Sequence, residues 1–115
     1  MVTLRLERGT DGGLRGFEAT GHTGLAEPGQ DIACAAVSAL TQTAALGLER
    51  RLGISVRAKA GPGRFACWLP ATLPAELRVR AEDILETMRL GLLEIARVEP
   101  GALRVVDATE RPDRR

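Results

Sequence analysis

Two side chains in this 115-residue chain have the types and spacing for nucleophilic chemistry: Cys34 and the single histidine, His22, twelve residues before it. A thiol becomes a nucleophile when its thiolate is favoured and a base stands within reach. The stretch after His22 is rich in glycine, and Asp31-Ile32-Ala33-Cys34 opens an apolar run of helical period. With Asp31 as N-cap, Cys34 is the third helical residue and lies in the positive end of the helix dipole, which favours a thiolate. His22, carried on a loop, would add a base or an imidazolium partner.

Helical projection separates this thiol from an ordinary core residue. At about 100° per residue, the stripe Ala33, Val37, Leu40, Ala44 and Leu48 centres about 80–100° from Cys34, which therefore lies on its flank with Ser38, one turn on. Against this stands the plainer reading that a cysteine in an alanine-rich helix is a small buried hydrophobe and a loop histidine is merely solvated. The second thiol, Cys67, lies in Phe65-Ala66-Cys67-Trp68-Leu69 with no helix terminus or basic neighbour, and reads as packing. No C-x-x-C or H-x₃-H pair is present, so neither a metal site nor another cofactor is expected.

These residues need elements to hold them. Val2, Leu4 and Leu6 alternate with polar residues, Thr10-Asp11-Gly12-Gly13 turns the chain, and Leu14, Phe17 and Ala19 return it as a hairpin with a bulge near Gly16. Residues 21–30, with three glycines and a proline, read as a mobile loop in which Gly21, Gly24 and Gly29 supply the flexibility. The spacing predicts a helix over 32–52, stopped by Gly53, then a second hairpin from 54–60 and 65–69 across Gly61-Pro62-Gly63. Pro74 opens a second helix that ends before Pro100-Gly101, and Ala102–Val106 can add a short edge strand. The order ββαββα predicts an α+β fold, a two-layer α/β sandwich with one antiparallel sheet and both helices on one face. Residues 1–109 make a single domain, and the charged tail 110–115 is expected to be disordered.

Composition removes several classes. Sixteen Lys+Arg against fifteen Asp+Glu leave a formal charge of +1, so no global basic field exists to bind nucleic acid. Aromatics at 3% nearly rule out base-stacking platforms. The first nine residues alternate apolar and charged types, and no apolar run is long enough to span a bilayer, so a soluble, unexported protein with reduced thiols is expected.

Gly21-His22 together with Gly29-Gln30-Asp31-Ile32-Ala33-Cys34-Ala35-Ala36-Val37-Ser38 strongly resembles the G-H…D-x-x-C-A-A-V-S signature of the ribosomal-processing cysteine protease family, Prp. The ββαββα order fits that family's two-layer fold over most of the chain. The resemblance implies a cytoplasmic, homodimeric cysteine protease that removes the N-terminal extension of a large-subunit ribosomal protein during ribosome assembly. It implies Cys34 as nucleophile and His22 as general base, with Asp31 and Ser38 in supporting roles. Asp31 either caps the helix or orients His22, and the D-x-x-C spacing favours capping. Trp68, with the few other aromatics, is a candidate anchor for the dimer contact. Two other classes use the same residues differently: a ribosome-associated binding module in which Cys34 is structural, and a thiol redox sensor that needs no peptide cleavage.

Overall fold

A computed structural model describes residues 1–22 and 30–109. Gly24 and Gly29 of the expected loop, and the tail 110–115, lie outside the described residues. The elements are β1 (Val2–Arg8), β2 (Leu14–His22), α1 (Gln30–Leu46) running into a π-helical turn (Gly47–Arg51), β3 (Arg57–Gly61), β4 (Gly63–Trp68), α2 (Ala75–Val98) and β5 (Leu103–Thr109).

The strands form one sheet in the order β3-β4-β2-β1-β5. The first four pair antiparallel, as the hairpins require, but β5 runs parallel to β1, from Val2 opposite Leu103 to Arg8 opposite Thr109. The sheet is therefore mixed rather than wholly antiparallel, and the cause lies in α2. β4 runs in the direction of β1, and a 24-residue helix spans about 36 Å, enough to carry the chain back to the end where β1 begins. A strand starting there and pairing with β1 must run beside it in the same sense.

Alternation divides the sheet into a covered and an open face. Val2, Leu4, Leu6, Phe17, Ala19, Cys67 and Leu103 are buried against Val37, Ala44 and Leu48 from the first helical segment and Ala81, Leu85, Met88 and Leu92 from α2. Phe17 and the partly buried Phe65 pack as tilted rings 5.8 Å apart in this layer. The open face carries Arg5, Glu7, Glu18, Arg57, Lys59 and Arg64, with Trp68 lying over Gly16, where a β-carbon would meet its Cδ1 at 2.5 Å. Residues Ile32–Arg51 form a helix long and apolar enough to cross a membrane, which the sequence reading did not expect; Ala33, Val37, Ala44, Ala45 and Leu48 instead bury one side of it in the core.

Both ends of β2 depart from regular pairing. Near the hairpin, Glu7 pairs with Gly16 and Arg8 with Leu14, leaving Arg15 as an extra residue beside Gly16, where a bulge was expected. At the other end Thr20 pairs with Arg64 and His22 with Gly63, leaving Gly21 extra.

Candidate active site

The structure puts His22 at the last position of β2, not within a loop. Its placement follows from the bulge. Gly16, Glu18 and Thr20 occupy the open face, and uninterrupted alternation would put position 22 there too. One extra residue reverses the alternation beyond it. Position 22 accordingly falls opposite Gly63, in the row of β4 that continues through Phe65 and Cys67 on the helix-covered face.

Only glycine can make this bulge. Gly21 has φ +101°, and a β-carbon there would fall on the carbonyl oxygen of Met1 in the neighbouring strand segment. The glycine-rich composition of residues 21–30 predicts that Gly21 lends flexibility to a loop. The structure corrects this: Gly21 is a strand residue whose missing side chain permits a fixed, close backbone approach.

Cys34 lies on α1 over the same face. It is half-buried and packs against the edge of the core cluster, the flank position that helical projection indicates. α1 begins at Gln30, earlier than an Asp31 cap requires, so Asp31 sits in the first turn and Cys34 opens the second. The i→i−4 pattern then directs the Cys34 N–H to the Gln30 carbonyl, while the N–H groups from Gln30 to Ile32 have no partner within the helix. Helical Cα–Cβ bonds tilt toward the N-terminus, so a thiol at position 34 overlies that first turn.

Ser38 is half-buried one turn beyond Cys34, and its carbonyl accepts a 3.2 Å hydrogen bond from Thr41 Oγ1. The buried Thr41 hydroxyl also donates to the Val37 carbonyl at 2.9 Å, so it serves the helix backbone. The other thiol is built differently. Cys67 is buried opposite Phe17, and desolvation, with a smaller contribution from Glu49, pushes its pKa up to about 11. It is the packing residue its sequence context indicates. Among the described residues no three His, Cys, Asp or Glu side chains gather to hold a metal ion.

The sequence singles out Cys34 and His22 but does not show the bulge that sets the register of position 22. A G-H dipeptide at the end of an alternating run was the available signal.

Comparison with known proteins bears on the chemistry. The family described as cysteine protease Prp matches residues 1–104. The chain is 34% identical over 107 residues to the ribosomal processing cysteine protease Prp of Bacillus subtilis, covering 91% of this chain and 96% of that protein. Among solved structures it resembles SMU.848 from Streptococcus mutans, with a TM-score of 0.79, 26% identity and 96% of both chains covered. It also has the fold of the essential ribosomal processing protease Prp from S. aureus in complex with a substrate peptide, with a TM-score of 0.83 at 20% identity, covering 94% of this chain and 100% of that one. With its mixed five-stranded sheet, its two helices and this match over nearly its whole length, the chain belongs to the family of the cysteine protease Prp.

Proposed function

We propose that this chain is a cytoplasmic endopeptidase that removes the N-terminal extension of a large-subunit ribosomal protein during ribosome assembly, with Cys34 as nucleophile and His22 as general base. The observation that carries this reading is the Gly21 bulge, which sets position 22 in register on the face that α1 and Cys34 cover. Cys34 Sγ attacks the scissile carbonyl while His22 takes the thiol proton, then returns it to the leaving amine as the C–N bond breaks. The thioester that remains is hydrolysed by water, with His22 again accepting a proton. The first-turn N–H groups of α1 are the donors for the oxyanion, because the Cys34 N–H is committed to the helix.

Asp31 and Ser38 support this centre from the helix. A carboxylate in the first turn complements the helix dipole, and Ser38 holds the flank beside the nucleophile. Residues 1–109 act as one catalytic domain, needing no cofactor and binding neither nucleic acid nor membrane. The enzyme works as a homodimer. Trp68 is a poor anchor for that contact, since its Nε1 donates to Glu7 Oε2 at 3.3 Å and Arg57 stacks over its ring at 5.5 Å. Exposed Ile32, Leu46, Leu90 and Leu93 make the helix layer the better surface.

The redox-sensor reading is weakened by Cys67, whose burial and raised pKa withhold it as a resolving thiol. The experiment is intact-mass analysis of the extended ribosomal protein incubated with wild type, Cys34→Ser and His22→Ala. Shortening by wild type alone is expected. Comparable shortening by either folded variant would overturn the assignment.

A further inference from the structure

The two edges of the sheet are finished differently. At one edge β5 lies under α2: Leu103 is buried, and Asp107 accepts from Arg8 Nε at 2.7 Å and from Arg89 Nε at 3.2 Å. At the other edge all five residues of β3, Arg57 to Gly61, are exposed. An edge strand turns every second N–H and C=O away from its partner, which makes it a template for another extended chain. The length and charge of β3 guard it against a second sheet, since it has five residues and carries Arg57 and Lys59. A single peptide with no sheet of its own behind it is not excluded by these devices.

The bare edge strand ends at the same end of the sheet as the candidate catalytic centre. Gly61 pairs with Arg64 across the turn, and the next residue back along β4, Gly63, pairs with His22. β3 therefore ends level with position 22 but two strands over, with β4 between them. Its covered-face positions are Ala58 and Ala60, opposite Cys67 and Phe65, and both alanines are exposed. They form a shallow apolar step beside Phe65, on the side of the sheet that also bears Cys34. Alanine is a weak strand former, and at an exposed edge it leaves room for larger side chains laid alongside.

We infer that β3 is the docking strand for the substrate: one flank of the cleaved segment adds to the free edge of Arg57–Gly61 as an extended strand, which directs the scissile bond toward His22 and Cys34. Main-chain hydrogen bonds supply the affinity, and every second substrate side chain rests on the Ala58–Ala60 step, selecting bulky apolar groups there. Each main-chain bond lost should raise KM by about two- to tenfold. This inference rests on the chain being a peptide-cleaving enzyme.

The test uses the full chain carrying Cys34→Ser and a synthetic peptide spanning the N-terminal extension of the ribosomal protein. Binding is followed by fluorescence anisotropy and amide exchange by mass spectrometry, while cleavage of the same peptide by wild type is measured separately. Bound peptide should slow exchange at alternate β3 amides, and N-methylation of alternate peptide amides should raise KM while the intervening positions tolerate it. Binding and cleavage with β3 exchange unchanged would overturn the docking strand and leave the protease reading standing. Absence of both binding and cleavage would overturn the two together.

Discussion

The two ends of β2 solve one geometric problem for different purposes. At the hairpin end the extra residue is Arg15, and the shift turns Leu14 from the open face into the core, where it is fully buried. The bulged residue keeps a large side chain there: Arg15 reaches Asp11 at 3.0 Å and Glu82 at 3.3 Å, tying the hairpin to α2. At the other end the extra residue is Gly21, which has no side chain to anchor and no room for one beside Met1. One bulge completes the core and is clamped by charge, whereas the other sets the register of His22 and depends on glycine alone. A strand can thus be irregular to complete the core at one end and to reset the register at the other, and substitution should separate the two.

The largest effect is expected at Gly21. Gly21→Ala forces a β-carbon onto the Met1 carbonyl at a φ that disfavours L side chains, costing about 1–3 kcal/mol of stability. Displacement of position 22 by even about 1 Å should lower kcat/KM by about a hundredfold. Circular dichroism and cleavage rates check both, and Arg15→Ala, at the partner bulge, should retain near wild-type cleavage per folded molecule.

Next comes Leu14→Ala, which should destabilise the fold by about 2–5 kcal/mol in urea titration, because a fully buried side chain leaves a cavity. Below the unfolding transition its kcat should be close to that of wild type. A selective loss of kcat would blur the distinction between the two ends.

The smallest effect concerns the charges around the clamped end. Arg8, opposite Leu14, bonds Asp107 and also Glu86 at 2.9 Å, and its guanidinium holds the Asp107 carboxyl below the usual carboxylate range. The unfolded chain therefore protonates Asp107 at higher pH than the folded chain does. The resulting stability is complete above the ordinary value of about 3.9 and is lost as pH falls through the depressed folded value. Asp107→Asn should cost about 1 kcal/mol or less at neutral pH, given a side chain 34% exposed, and little in strong acid. Thermal unfolding from pH 7 to pH 2 measures this, and an equal loss at both ends of that range would contradict it.

Much of this was legible because it depends on local pattern. Period-2 runs gave both hairpins, the 3.6-residue period gave both helices, and projection placed Cys34 on the flank it occupies. The end of β2 was not legible, since a bulge at Gly21 breaks the very alternation by which strands are recognised, and the glycines after it read as loop. The direction of β5 was equally hidden, for it is set by the length of α2 and the strand order rather than by residues 103–109. Ile54 and Val56 alternate as a strand would, yet Ile54 N–H bonds the Leu48 carbonyl at 3.0 Å, closing the helix end, and pairing starts only at Arg57.

The central claim is that the Gly21 bulge brings position 22 to the face that bears Cys34. It can be measured with dibromobimane, which fluoresces only when both arms react with neighbouring thiols. In a Cys67→Ala background, His22→Cys should be bridged to Cys34, with the bridge located by peptide mass, and Thr20→Cys, on the open face, should not. Bridging from position 20 as readily as from position 22, or no bridging from position 22 in the folded protein, would contradict the account.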